Sequence, residues 1–328
     1  MNPKKILILY KKSAYKIYFL ERKSSLFQKE NSLTPREIND FKRAHDKHYQ
    51  SLAMVRRILD RYAIHYHVRA RGSKIDFARY EVVMTVGGDG TFLEAARGLK
   101  DQPFDYSCLK RQELLRVDSE RSLPCPVLKD RASRKSKSQF ILGVNSDPQS
   151  SVGRFCSCTP EDFEKVLKRF LTGKVKIKKF QRIQLDLKFG EKHYETQVLN
   201  DILVCHQNPA AMSRYSLSVN GVQEEQRSSG VWISTAAGSS GAILSAGGKL
   251  IAQEASEIQY KPRELYRWPR RKYELTGEAL LLKRPMVITS LMRNGVVFID
   301  GAHLKFPFHF GSKAVMTHSP RPLKVIAS

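Results

Sequence analysis

Acidic residues are in short supply: the 328-residue chain sets 57 Lys+Arg against 32 Asp+Glu, a formal net charge of +25. A field of that sign attracts polyanions (nucleic acid, a membrane surface or nucleotides), and charge alone neither chooses among them nor excludes a plain solvated basic surface. Cysteine is scarce as well. Cys108, Cys125, Cys156, Cys158 and Cys205 are odd in number, and no C-x-x-C pair occurs. That argues against a disulfide framework and against a zinc site, and fits a reducing compartment. No long apolar run opens the chain. Ile6–Tyr10 is followed at once by lysines, too short for a signal peptide or a bilayer span. It reads as a first buried strand, and a cytoplasmic protein with no membrane partner is expected. No internal repeat is present. What remains is ordinary for a globular protein, 41% hydrophobic and 27% charged, and the length suits two domains.

The spacing of Ile38, Phe41, His45, His48, Leu52, Val55, Leu59 and Tyr62 predicts an amphipathic helix opened by Thr34-Pro35, as cap and first position. His45 and His48 lie on its core edge and read as structural rather than metal-binding. Glu81–Val86 reads as a strand running into Gly87-Gly88-Asp89-Gly90-Thr91, with a helix over Phe92–Leu99. Residues 101–138 mix both charges, carry Pro124 and Pro126, end in the basic run Arg131–Lys137, and read as a surface insertion. Phe140–Val144 is a further strand, and Thr159-Pro160-Glu161-Asp162 a helix start that Gly173 closes. Beyond Gly173 the pattern shifts to short strand-like runs at 175–177, 184–189, 198–204, 216–219, 231–234, 286–289, 296–299 and 314–316, separated by Gly, Asn, Pro or Ser. The expected architecture is an α/β N-terminal domain with a parallel sheet (1–148) followed by a β-rich C-terminal domain (149–328).

Strand, glycine loop and helix place a ligand at the carboxyl end of a sheet. The glycines of Gly87-Gly88-Asp89-Gly90-Thr91 let backbone approach a phosphate, and the helix N-terminus behind them favours its charge. An acid in an anion-binding loop is at odds with that role, unless it takes a proton from a hydroxyl or touches a phosphate-bound Mg²⁺. A bare turn in which Asp89 only caps the helix is the other reading. No G-K-[ST] follows, so this is not a Walker A loop. The motif resembles the phosphate-donor loop shared by NAD kinases, lipid kinases of the diacylglycerol and sphingosine type, and phosphofructokinases.

Two further segments resemble the NAD kinase family in particular. Leu199-Asn200-Asp201-Ile202-Leu203-Val204 is similar to its Asn-acid pair at a strand start; an amide beside a carboxylate offers donors and acceptors to ribose or base. Ser228–Gly248, containing Thr235-Ala236-Ala237-Gly238-Ser239-Ser240-Gly241, is similar to its second glycine-rich block. Gly143-Val144-Asn145, Arg284-Pro285 and Ile299-Asp300-Gly301 agree with it. The resemblance spans roughly residues 80–100 and 140–325 and implies NAD(H) kinase activity: Mg²⁺-dependent transfer of a phosphoryl group from ATP or polyphosphate to the adenosine ribose 2′-hydroxyl. It implies Asp89 as the base; Gly87, Gly88, Gly90 and Thr91 around the donor; Asn200, Asp201, Ser240, Gly241 and Ser245 on the dinucleotide with Arg227 nearby; and a homo-oligomer, dimer or tetramer. The chain departs from the common bacterial pattern at Arg227-Ser228-Ser229-Gly230, where Arg-Gly-Asp-Gly is usual, and at Gly241-Ala242, where Ala-Tyr is usual. The Ser228-Ser229-Gly230 and Thr235-Ala236-Ala237-Gly238-Ser239 variants resemble the branch that includes plant NADH kinases, and the departures leave the choice between NAD⁺ and NADH open. A lipid kinase would share the loop and lack the later blocks. A non-catalytic nucleic-acid-binding protein would suit the charge, yet no nucleic-acid motif is present and no nucleic-acid partner is expected.

Overall fold

The computed structural model describes residues 5–21, 33–99, 139–266 and 272–327. The predicted insertion at 101–138 lies outside them. The first sheet is built from β1 (Ile6–Tyr10), β2 (Tyr66–Ala70), β3 (Val82–Gly87), β4 (Phe140–Asn145), β5 (Lys176–Phe180) and the strand Leu323–Ala327. Its order is β2-β1-β3-β4, then Leu323–Ala327, then β5. The first five of these run parallel and β5 is antiparallel to its neighbour. β1 and β3 are buried along nearly their whole length, which is why both read as unbroken apolar runs rather than alternating ones. β5 and Leu323–Ala327 come from beyond residue 149, so the sheet that carries the glycine loop is completed by the end of the chain.

Helix α1 (Pro35–Arg61) starts where the sequence placed it, with a full capping box: the Glu37 N–H donates to Thr34 Oγ1 and Glu37 Oε2 accepts from the Thr34 N–H. His48 is fully buried on it. Its Nε2 lies 2.8 Å from the Lys11 carbonyl oxygen, which can only accept, so Nδ1 is the acceptor for the Ser146 hydroxyl at 2.8 Å. Burial, then the Lys11 charge, pushes the imidazole down to about 4. A depressed histidine contributes stability that is present above its unfolded value of about 6.5 and lost as pH falls towards 4. The expected loss over that window is about 3 kcal/mol, read as the fall in urea midpoint. His48→Gln, which stays neutral and keeps a donor and an acceptor, should flatten that slope.

Helix α2 (Asp89–Gly98) begins at Asp89 rather than Phe92, because Asp89-Gly90-Thr91 already form its first turn. Its last carbonyls are met by the buried Arg182 guanidinium, which donates to Ala96 and Leu99 oxygens at 3.2 and 3.0 Å. α3 (Phe163–Leu171) begins three residues after the predicted Pro160 start, Thr159 instead bonding the Asp162 carboxylate from outside the helix.

The β-rich remainder comprises β6 (Ile183–Phe189), β7 (Lys192–Val198), β8 (Asp201–His206), β9 (Ser213–Val219), β10 (Val222–Ser228), β11 (Val231–Thr235), the one-turn helix α4 (Ala242–Ser245), β12 (Ile258–Pro262), β13 (Glu278–Leu280), β14 (Met286–Ser290), β15 (Gly295–Ile299), β16 (Leu304–Pro307) and β17 (Lys313–His318), with Leu323–Ala327 as β18. Two antiparallel sheets result, β10-β9-β14-β17-β6-β7 and β13-β12-β11-β8-β15-β16. They share one core, in which Leu185, Leu217, Ile288 and Met316 face Ile202, Val231, Tyr260 and Val297. The single predicted strand 198–204 is in fact two, broken at Leu199-Asn200. A third cluster joins Phe92, Ala95, Ala96 and Phe155 of the first layer to Leu199 and Ala237 of the second. No helix among the described residues is long and apolar enough to cross a membrane.

Candidate functional site

The site grows from the end of β3. Gly87 and Gly88 are closely packed: a Cβ would sit 2.7 Å from Thr91 Oγ1 at the first and 2.6 Å from Ser151 Oγ at the second, so a larger residue would have to displace those hydroxyls. Asp89 then points at the loop that follows β4. Its Oδ1 accepts the Phe155 N–H at 2.9 Å and its Oδ2 the Arg154 N–H at 3.1 Å. Asp89 is therefore not an N-cap of its own helix. Two backbone donors fix its carboxylate while each oxygen keeps a further lone pair. The donor loop is folded back by Asn145, whose Nδ2 donates to the Ser151 carbonyl at 2.9 Å, and by Gly153, where a Cβ would sit 2.2 Å from that same Nδ2. Thr91 is buried and backs Gly87 rather than facing solvent.

The second half of the site is the break between β7 and β8. Asp300, held at φ 50° in the turn after β15, accepts the Leu199 and Asn200 N–H groups at 3.2 and 2.7 Å. Asn200 Nδ2 in turn donates to Asp201 Oδ2 at 3.0 Å. Burial, reinforced by the Asp300 charge, pushes Asp201 up to about 7. A Cβ on Gly241 would lie 3.6 Å from Asp201 Oδ2 and 3.7 Å from Asn200 Nδ2, so the Asn-Asp pair and the second glycine block face one another. Gly238 is tighter still, with a Cβ 2.1 Å from the Asn200 carbonyl oxygen. Backbone cannot yield there, so Gly238→Ala should lower stability by about 1–3 kcal/mol in thermal melts, whereas Gly241→Ala, whose Cβ would sit 3.2 Å from the Gly238 carbonyl oxygen, should cost less.

Arg97, near the far end of α2, donates to Asp300 Oδ2 at 3.4 Å. It lies eight residues from Asp89, about 12 Å along the helix. Gln253 Nε2 donates to the Arg154 carbonyl at 3.4 Å, bringing the segment after α4 against the loop that grips Asp89. The two halves thus lie along one helix. Ser240 sits half-buried at the junction and Ser245 is exposed at the end of α4. Arg227 is not gathered in: it is on β10 opposite Arg214, its carbonyl accepting the Tyr266 N–H at 2.8 Å. The neighbouring Gly230 abuts Val204, the other end of β8 from Asp201, about 10 Å away. No sequence signal pointed to Arg97 or Arg154. It flagged Asp300 only as part of a matching tripeptide.

Among the described residues, the metal-capable grouping is Asp186, His193 and Glu195 on β6 and β7, apart from the glycine loop. Among the described residues, the loop itself carries one carboxylate, Asp89. Mg²⁺ takes few protein ligands when substrate phosphates supply the rest, so this donor set fits an ion carried by a nucleotide.

No family model matches the chain. A protein of Oryza sativa subsp. japonica named "Probable NADH kinase" is 28% identical over 267 residues, covering 75% of this chain and 70% of that one. The solved structure of an NAD kinase from Archaeoglobus fulgidus in complex with ATP aligns over 98% of this chain and 93% of its own, with TM-score 0.62 and 18% identity. Yeast NADH kinase complexed with NADH aligns over 100% and 84%, with TM-score 0.67 and 13% identity. The aspartate-bearing glycine loop, the Asn-Asp pair and the second glycine block are assembled along one helix, and the chain is similar in sequence to plant NADH kinases and in fold to solved NAD and NADH kinases.

Proposed function

We propose that the chain is an NAD(H) kinase, transferring the γ-phosphoryl group of ATP to the 2′-hydroxyl of the adenosine ribose of NAD⁺ or NADH. The observation that carries this reading is the placement of the Asp89 carboxylate and the Asn200-Asp201 pair on opposite ends of α2, tied together through Arg97 and Asp300. The relatives' names support it: one is a probable NADH kinase, and solved neighbours hold ATP in one case and NADH in another.

In this mechanism the Gly87–Thr91 backbone receives the donor phosphates at the α2 N-terminus. Asn200 and Asp201 hold the adenosine ribose so that its 2′-oxygen faces the γ-phosphorus. As the new O–P bond forms, the bond from the γ-phosphorus to the bridging oxygen breaks, ADP leaves with that electron pair, and the 2′-hydroxyl proton passes to Asp89. Mg²⁺ bound to the donor phosphates would supply neutralisation of their charge. Positioning and charge compensation provide most of the acceleration in such transfers. The same reading has a cytoplasmic homo-oligomer as its default state.

The test is direct turnover: purified protein with Mg²⁺ and ATP, NAD⁺ and NADH in parallel, polyphosphate as a second donor, and NADP(H) read by an NADP-specific dehydrogenase. Product from either dinucleotide supports the proposal, and their ratio resolves what the departures at Ser228-Ser229 and Gly241-Ala242 mean. Product from neither, together with activity on diacylglycerol vesicles, would hand the loop to a lipid kinase.

A further inference from the structure

Phosphoryl transfer concentrates negative charge on three equatorial oxygens, and enzymes that perform it set a cation against them. The glycine loop contains no Lys or Arg between Gly87 and Thr91. Three cations approach it. Arg71 lies over Gly90, where a Cβ would sit 2.9 Å from Nη1, but its Nε donates to Glu94 Oε2 at 3.0 Å and its charge is already matched. Lys11 packs its Cβ behind Gly87, and the acid it influences, Asp147, is ion-paired at 3.1 Å to Lys47. Arg154 differs from both.

The Arg154 main chain is fixed from two sides, its N–H on Asp89 Oδ2 and its carbonyl oxygen under Gln253 Nε2. Its side chain lines an open cleft of about 470 Å³ with Leu250, Ile251, Ala252 and Gln253. Its Nε is buried with no hydrogen-bond acceptor, and no ion pair is formed by its guanidinium among the described residues. A buried, unmatched donor on a charged group costs on the order of 1–3 kcal/mol. Such a group is retained where a ligand supplies the missing acceptor. The acceptors that match a planar guanidinium fork are carboxylates and phosphates. Asp89, the neighbouring carboxylate, takes the Arg154 main-chain N–H and not its Nε, and the ligand that the kinase reading brings to this loop is a phosphate.

We infer that Arg154 binds the oxygens of the phosphoryl group in transfer, beside Asp89, and is the cation that the glycine loop lacks. The inference rests on the kinase reading and adds a catalytic residue to it. Arg154→Ala leaves both main-chain hydrogen bonds available, so the fold should persist, and Arg154→Lys restores charge without the fork. Both variants and the unaltered protein are to be assayed with Mg²⁺-ATP and NADH, and separately titrated with inorganic tripolyphosphate by calorimetry.

Arg154→Ala is expected to lower kcat by about a thousandfold, with partial recovery in Arg154→Lys and on adding millimolar guanidinium. The KM for NADH should hold within a few-fold, and tripolyphosphate affinity should fall by about tenfold or more. An unchanged kcat overturns the inference, and so does a loss confined to the KM for NADH, which would move Arg154 to the dinucleotide's own pyrophosphate. If the unaltered protein turns over neither dinucleotide, the kinase reading fails. The tripolyphosphate titration still decides whether Arg154 binds a polyphosphate, and equal affinity in protein and variant overturns it.

Discussion

Replacing Asp89 by Asn is expected to lower turnover by about 10²–10⁴, the range that a positioned general base contributes. The substitution keeps the size of the side chain and removes its ability to take a proton. It is not silent structurally. Asp89 accepts two main-chain N–H groups, from Phe155 and Arg154. An amide can accept one through its oxygen but presents its own NH₂ to the other, so one bond is lost and two donors oppose. The cost is about 1–2 kcal/mol, visible as a small drop in melting temperature. The loop 151–155 should loosen locally while the sheet beneath it, anchored through β3 and β4, stays. The KM for ATP should change little, because the glycine backbone rather than the carboxylate receives the phosphates. The decisive measurement is kcat at saturating ATP and NADH in a variant shown by thermal melting to be folded. Near-normal turnover would falsify the base assignment and leave Asp89 as a tie between the glycine loop and residues 154–155.

The parts of this molecule that were legible in the sequence are those written in local chemistry. β1 and β3 are buried on both faces and read as apolar runs. α1 announced itself through Thr34-Pro35-Arg36-Glu37, a cap whose partners are three residues apart. The glycine loop stood out through its run of small residues, and the Asn200-Asp201 pair and the block at Gly238–Gly241 through their resemblance to the NAD kinase family; at Gly238 the Asn200 carbonyl shows why no larger residue fits. What could not be read depends on contacts distant in sequence. β10, Val222-Gln223-Glu224-Glu225-Gln226-Arg227-Ser228, has almost no apolar residue, and its two buried positions are polar: Ser228, and Gln226, whose amide donates to the Leu275 carbonyl at 2.7 Å. β5, Lys-Ile-Lys-Lys-Phe, is legible at its start, within the run 175–177, but its remainder looks like a solvated basic segment and is an edge strand whose lysines suit an unpaired edge. Its pairing with β18, nearly 150 residues on, carries no local signal. Arg227 was associated with the site by its place in a matching block, and the strand geometry puts it at the other end of β8.

The second large effect concerns Arg97. Its guanidinium is 15% exposed and the Asp300 carboxylate it meets is fully enclosed. Removing one member of such a pair strands the other, at a cost of about 3–5 kcal/mol. The cost should depend on pH, and the sign follows from Asp300. Burial pushes this acid up to about 6 even though Arg97, and the N–H groups of Asn200 and Leu199, pull it down. A raised carboxylate makes the folded state the better proton binder, so stability falls as pH rises from the unfolded value near 4 to the folded one. In Arg97→Ala the downward pull is gone, Asp300 rises further, and the decline continues past pH 6. The deficit relative to the unaltered protein should therefore be small at pH 5 and approach its full size at pH 8, measured as the difference in urea midpoints. Adding Asp300→Asn to Arg97→Ala should remove the pH-dependent part, since no charge is then buried. Equal deficits at pH 5 and pH 8 would mean that the pair acts through packing rather than charge. Because Asp300 also holds the Leu199 and Asn200 N–H groups, the KM for the dinucleotide should rise in Arg97→Ala while the KM for ATP stays. That split follows from the site's construction: no group of the donor half depends on Asp300, whereas the acceptor half is aligned to α2 by the buried Arg97–Asp300 pair.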